Sequence, residues 1–297
     1  MPGDERPTTN DALDILALAA HRDDVEQTCG GTLLKMAERG YRTGILDLTQ
    51  GEMGTRGTAE DRAREAADAA RILKVSWRQA LDIPDGRVEN TWDNRLKVVR
   101  VLRQLRPRVL ILPYWEGRHP DHYTASILGY ESAFLSGLAK LQTDDPTPPV
   151  PEKPAAPARP DIGIFSADAL HSFLKGQGLG PVKEPAPQSA PTHAVPAPHR
   201  PFKIIYASLY RDVRPSFVVD ISDQFEARFS SLMAYKSQFT DQQAGSGIFP
   251  AQAEIRARIE SMARFYGALA GVPYAEPFVQ KEVGLVDDVT AIPVKSI

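Results

Sequence analysis

The sequence predicts an α/β protein with a mostly parallel sheet and helices on both faces. Two observations carry this expectation. Short, continuous apolar runs alternate with amphipathic stretches through the first half of the chain. The runs lack the apolar–polar alternation of a half-solvated sheet, so they read as strands buried on both faces, joined by helical crossovers.

Each element has its own signal. Residues 14–20, "DILALAA", form an uninterrupted apolar run and read as a first strand. Residues 24–40 read as one helix with Gly40 as its stop. Residues 42–49, "RTGILDLT", give a second strand, and 51–57, "GEMGTRG", a glycine-rich loop. The Ala-, Glu- and Arg-rich stretch 59–73 is strongly helical. Residues 79–84 read as a short third strand, and 93–107 as an amphipathic helix stopped near Pro107. Residues 108–114, "RVLILPY", are another buried strand, followed by the loop "WEGRHPDH" and a helix over 123–140.

Residues 142–200 break the alternation. They are rich in Pro and Ala, which favours extended, solvated chain over a packed core. We read them as a surface insertion, near the site or at a subunit contact, with "DIGIFSADALHSFLKG" as a short docked piece. His171, His193 and His199 within it read as surface histidines. Strands over 203–210 and 215–222 and helices over 223–239 and 253–271 continue the same unit. The expectation is one domain over residues 12–297, with 142–200 inserted into it.

The totals narrow the function. The chain has 297 residues, 35 basic and 38 acidic, for a net charge of −3. That balance gives no general pull toward nucleic acid or an acidic membrane. No apolar run approaches the ~20 residues a membrane helix needs. The acidic N-terminus shows no secretory pattern, and the single cysteine, Cys29, suits a reducing compartment. A soluble cytoplasmic protein is expected.

The chemistry gathers after two of the predicted strands. "AAHRDD" follows the first, placing His21 and Asp24 three apart on one face of a helical turn. An imidazole and a carboxylate are standard zinc ligands. "RHPDH" follows the strand ending at 114 and offers His119, Asp121 and His122 as further candidates. Three protein ligands would leave a coordination position open, the arrangement of a catalytic ion. Asp23 adjoins Asp24 and is a natural general base toward a metal-activated water. The remaining histidine, His119 or His122, would meet an oxyanion or leaving group, with Asp121 fixing its tautomer. Arg56, in the glycine-rich loop, would be exposed on the same edge and could grip a carboxylate or hydroxyl. A dinucleotide site requires G-x-G-x-x-G at the first turn, where this chain has charged side chains.

These residues resemble a known family. "AAHRDD" is similar to the A-x-H-x-D-D motif of PIG-L/LmbE-type zinc-dependent N-acetylglucosaminyl deacetylases, and "RHPDH" to their H-P-D-H motif. "GEMGTRGTAEDRAREAADAARIL", "PSFVVDIS", "AYKSQF" and "ARFYGALAGVPYAEPF" resemble the bacillithiol-biosynthesis branch. The resemblance implies a Rossmann-like α/β domain. It implies His21, Asp24 and His122 as zinc ligands and Asp23 as the base. It makes His119 the oxyanion-stabilising group with Asp121 as its partner, and Arg56 a substrate-binding residue. It implies hydrolysis of an N-acetylglucosaminyl conjugate, N-acetylglucosaminyl-malate in that branch, by a homo-oligomer, hexamers being common there. Two alternatives stand beside it. One is an amide hydrolase of the same fold acting on another glycan or an antibiotic; the other is a metal-binding protein without turnover. Iron(II) also suits one carboxylate and two imidazoles.

Overall fold

The computed structural model describes residues 12–143, 196–208, 212–239, 251–292 and 294. Two runs, β1 (Ile15–Ala19) and β2 (Thr43–Asp47), are buried at every position. With β3 (Trp77–Ala80), β4 (Val109–Pro113) and β5 (Lys203–Ala207) they make a parallel set. Two further strands, β6 (Phe217–Asp220) and β7 (Ala275–Val279), join antiparallel, giving the order β3-β2-β1-β4-β5-β7-β6. The expected mostly parallel sheet is present, in a single α/β domain.

Alternate residues of each central strand face two separate apolar layers. Leu16, Leu18, Leu46, Leu110 and Leu112 pack with Val98 and Leu102 of α4 (Trp92–Leu105) and Leu128 of α5 (Pro120–Ser136). Ala17, Ala19, Ile45, Ile111 and Ile205 pack with Val25 of α1 (Asp24–Thr28) and Leu33 of α2 (Gly30–Glu38). A strand apolar on both faces has to be covered on both. Gly129 brings α5 close against β4, because a Cβ there would collide with Leu112. That close approach fixes the start of α5, where the second histidine motif lies. Helices α3 (Ala59–Ile72), α6 (Phe225–Met233) and α7 (Gln252–Ala270) complete the shell.

Four expectations are corrected. The third strand lies at Trp77–Ala80, two residues before its expected start, because Gly44 and Trp77 set its register with β2. The last helix of the first half starts at Pro120, with His119 as N-cap and proline at the first position, where its missing N–H costs nothing. The helix expected over 24–40 is two helices broken at Cys29, and β7 has no counterpart in the sequence reading.

One buried ion pair explains both of the last two. Arg228 of α6 donates to the Glu26 and Gln27 carbonyls, satisfying the end of α1. Glu276 of β7 accepts from the amides of Gly31 (2.9 Å) and Thr32 (2.7 Å), satisfying the start of α2. The two charges meet at 3.0 Å. Helix ends strand their backbone groups, and here an arginine and a glutamate from distant elements take them up.

Of the insertion, residues 144–195 lie outside the described residues, as do the docked piece, His171 and His193. The flanking segments leave and re-enter at the edge where α5 ends and β5 begins. Arg103 holds the carbonyls of Ser136, Leu138 and Leu141, and His199 Nε2 donates to the Pro107 carbonyl at 2.8 Å. This is the amino-terminal edge of β4 and β5, opposite the histidine motifs. His199 is therefore engaged rather than a free surface group. Among the described residues, no helix is long and apolar enough to cross a membrane.

Candidate metal centre

In the parallel set, β1 and β4 are neighbours, paired from Ile15 with Val109 to Ala17 with Ile111. Both strands end on the same edge, at the point where the strand order reverses, and ligand sites in open α/β sheets form there. The turn after β1 carries His21, Asp23 and Asp24. The turn after β4 carries His119, Asp121 and His122. Two loops a hundred residues apart in sequence meet for this reason.

The donor atoms of three residues converge. His21 Nδ1 lies 3.2 Å from His122 Nε2 and 3.6 Å from Asp24 Oδ2, and His122 Nε2 lies 3.2 Å from Asp24 Oδ1. Zinc bonds of ~2.0–2.1 Å in tetrahedral geometry place ligand atoms about 3.3–3.4 Å apart. The two imidazoles, and each imidazole with one Asp24 oxygen, are therefore spaced close to what one four-coordinate ion requires, which would leave a fourth position to solvent or substrate. Two imidazoles and one carboxylate are the donor set of a catalytic rather than a structural site.

The electrostatics favour a cation. Burial pulls the His21 imidazole down, but hydrogen bonds to the Asp121, Asp24 and Asp85 carboxylates outweigh it and push the pKa up to about 12. Burial likewise opposes the Asp24 charge, yet His122 and His21 hold that carboxyl well below the usual range. Three carboxylates around one ring demand positive charge, met by a proton or by a metal ion.

The other nitrogen of His21 faces carboxylates. Nε2 lies 3.1 Å from Asp85 Oδ1 and 3.2 Å from Asp121 Oδ2. A carboxylate behind a ligating histidine fixes its tautomer and raises its basicity. Asp121 is fixed in turn by the amides of Gly86 (2.8 Å) and Val88 (3.2 Å), and Asp85 Oδ2 accepts from the Met53 amide at 3.0 Å. The loops after β2 and β3 thus buttress His21.

This corrects the expected role of Asp121 beside His119. Its carboxylate is committed to His21 and to the 86–88 backbone. Its only hydrogen bond to His119 runs through its own N–H, which donates to His119 Nδ1 at 3.2 Å. That bond keeps Nδ1 unprotonated and leaves the proton of the neutral ring on Nε2. Burial, and then the His21 and His122 charges, lower the His119 pKa. His119 is exposed, its ring centroid 4.8 Å from that of His21.

Asp23 stands beside the triad without joining it. Arg62 Nη2 donates to its Oδ1 at 3.1 Å, and Gln27 Nε2 to its Oδ2 at 3.3 Å. Arg62 reaches in from α3 and is 4% exposed, so Asp23 is held from its buried side. The turn itself is pinned from below. Arg78 donates to Asp47 Oδ2 (2.9 Å), Glu26 Oε1 (2.6 Å) and the Arg22 carbonyl, which Tyr235 also reaches. Burial pushes the Glu26 carboxyl up to about 7, although Arg78 pulls it down.

Arg56 is the second correction. Expected to be exposed at the edge, it is 8% exposed and donates to the Gln238 carbonyl at 3.2 Å, while Gln238 Nε2 returns a bond to the Arg56 carbonyl at 2.7 Å. An arginine in a loop of small residues can turn inward when a neighbouring segment offers carbonyls. The sequence reading also missed Asp85, Gln27 and Arg62. Asp85 had a usable signal, being a carboxylate in the "IPDG" turn after the third strand of the same sheet. Gln27 and Arg62 had none, since helical glutamines and arginines are ordinary surface residues.

Fold and site together define an α/β domain with a candidate three-ligand metal centre at the switch point of its sheet. A family model described as PIG-L: GlcNAc-PI de-N-acetylase matches residues 16–132. A diacetylchitobiose deacetylase from Thermococcus kodakarensis is 26% identical over 278 residues, covering 90% of this chain and 82% of that protein. An uncharacterized deacetylase from Escherichia coli is 30% identical over 154 residues, 45% of this chain and 83% of that protein. The crystal structure of a conserved protein from Thermus thermophilus superposes with a TM-score of 0.67 at 33% identity, covering 93% of this chain and 98% of that one. The chain belongs to the PIG-L family of deacetylases.

Proposed function

We propose that the protein hydrolyses the N-acetyl group of an N-acetylglucosaminyl conjugate, releasing acetate. The convergence of His21, Asp24 and His122 at 3.2–3.6 Å carries this reading. N-acetylglucosaminyl-malate, as in bacillithiol biosynthesis, is the favoured substrate, on the resemblance of the 51–73 loop and helix. Diacetylchitobiose is the alternative, favoured by the Thermococcus relative.

His21 Nδ1, Asp24 and His122 Nε2 would hold the divalent ion, zinc on this donor set, with iron(II) also compatible. Such an ion supplies Lewis acidity, polarising an acyl carbonyl and acidifying a water. Asp23 takes the proton of the attacking water and returns it to the departing amine. Arg62 and Gln27 keep its carboxylate aimed while it does so. His119 Nε2–H donates to the oxygen on which negative charge develops, a contribution of about 3–4 kcal/mol for a single donor of this kind. Asp85 and Asp121 hold His21 in the tautomer that leaves Nδ1 available. Arg56, anchored at the Gln238 carbonyl, is kept as the proposed substrate-binding residue. A cytoplasmic homo-oligomer is the expected working form.

The test is metal analysis combined with acetate release from N-acetylglucosaminyl-malate, N-acetylglucosamine and diacetylchitobiose. One bound ion per chain and fastest release from the malate conjugate is the expected result. Faster release from diacetylchitobiose moves the assignment to a glycan deacetylase. A bound ion with no acetate from any amide leaves a metal-binding protein.

A further inference from the structure

Just past β7, the side chain of Lys281 reaches back over three aromatic rings. Its Nζ lies 4.7 Å from the ring centroid of Trp115, 4.8 Å from that of Tyr130 and 4.8 Å from that of Tyr206. All three fall within the ~6 Å at which the negative face of a ring attracts a cation. Among the described residues, no carboxylate pairs with this ammonium, so the rings are what hold it. Every residue from Lys281 to Ile292 is exposed, so the segment does not enter the core. Lys281 ties it to the body of the domain.

The three rings come from the elements that bracket the second histidine motif. Trp115 opens the loop after β4, and Tyr130 lies on α5, the helix in which that loop ends. Tyr206 of β5 is 1% exposed and meets Trp115 edge-on, with centroids 4.9 Å apart. The cation therefore draws the start of the loop toward the helix at its end, against a fixed strand. His119 is the motif residue most dependent on this. His122 lies within α5, and the Asp121 carboxylate is held by the Gly86 and Val88 amides. His119 stands at the N-cap and is exposed, and among the described residues its ring has one hydrogen bond, from the Asp121 N–H. Where that ring points follows the course of residues 115–119.

We propose that Lys281 is a positioning residue: by clamping Trp115 against Tyr130 and Tyr206, it fixes the loop that aims His119 at the reacting carbonyl. The role of His119 rests on the deacetylase reading above; the clamp rests on the three ring contacts. The clamp needs charge, since an apolar side chain of the same length covers the rings without the attraction. Its loss should cost rate rather than metal binding, because His21, Asp24 and His122 are placed by the β1 turn and by α5 itself.

The experiment compares Lys281→Met, which keeps the length and loses the charge, with Lys281→Arg, which keeps the charge. On the zinc-loaded protein, Lys281→Met should lower kcat by about 10–100-fold, the scale of a displaced catalytic group. KM and zinc affinity should stay within about threefold of wild type, because the oxyanion contact is made in the transition state. Lys281→Arg should restore kcat to within about threefold. A second readout needs no turnover: the ring-proton NMR signal of His119 in the metal-free protein, assigned by its loss in His119→Ala. It should move in Lys281→Met and return in Lys281→Arg. An unmoved His119 signal, or an arginine variant as impaired as the methionine one, overturns the proposal. If wild type hydrolyses no amide, the deacetylase reading fails separately, and the NMR comparison still decides whether Lys281 sets the position of His119.

Discussion

Asp85 Oδ1 lies 3.1 Å from His21 Nε2, on the side of the ring away from the donor triangle. It comes from the loop after β3, and its other oxygen holds the Met53 amide of the loop after β2. One carboxylate thus ties two loops to the ring of a proposed ligand. Asp85→Ala should weaken metal binding by about 10–100-fold, as loss of a carboxylate behind a ligating histidine typically does. Chelator competition on folded protein reads this directly, and unchanged affinity would make Asp85 a loop brace only.

Asp23 and Arg62 give a different signature. Asp23→Asn should cut kcat by about 10²–10⁴, the usual worth of a positioned base, while metal content stays at the wild-type level. Arg62→Ala should lower kcat more than it raises KM, since Arg62 aims the base rather than touching substrate. Steady-state kinetics beside metal analysis checks both variants. Loss of the ion in Asp23→Asn would instead make Asp23 a ligand.

The pH dependence of metal binding follows from His21. Its pKa in the metal-free protein is raised to about 12, so the ring is protonated across the neutral range. A ligating imidazole must be neutral, so the ion displaces that proton. Affinity should therefore rise about tenfold per pH unit above neutrality. At least one proton should leave per zinc added at pH 7 in a weakly buffered solution. The linkage to stability has the matching sign. A pKa raised above its unfolded value stabilises the metal-free fold fully below about 6.5, and the contribution fades as pH climbs toward 12. Zinc uptake without proton release would contradict the arrangement.

The break between α1 and α2 depends on Arg228 and Glu276, which are 6% and 1% exposed in their side chains. Removing one partner leaves a buried charge and strands the backbone groups it satisfied. Glu276→Ala should cost about 3–5 kcal/mol in denaturant unfolding. A much smaller loss would mean the helix ends are satisfied by other groups.

Much of the candidate site was legible in the sequence because its proposed ligands follow two uninterrupted apolar runs. A buried strand in a parallel sheet announces itself locally, and its end marks where chemistry gathers. The helix break at Cys29 was not legible, because the groups that stabilise it lie about 200 residues downstream. Strand β7 hid for a related reason: Glu276 and Pro277 interrupt its apolar character, and the burial of that glutamate makes sense only beside Gly31 and Thr32. Asp121 was found, but the contact of its carboxylate with His21 was not, because nearness in sequence to His119 does not fix which way a helix-starting carboxylate turns. Arg56 was read as exposed because nothing local reveals the carbonyl of Gln238.

The most direct measurement is an anomalous-scattering map from zinc-loaded crystals, recorded at the zinc edge. The account predicts one strong peak about 2.0–2.2 Å from His21 Nδ1, an Asp24 oxygen and His122 Nε2, with a fourth position filled by solvent. A peak elsewhere, or a fully occupied ion that His122→Ala leaves in place, would contradict it.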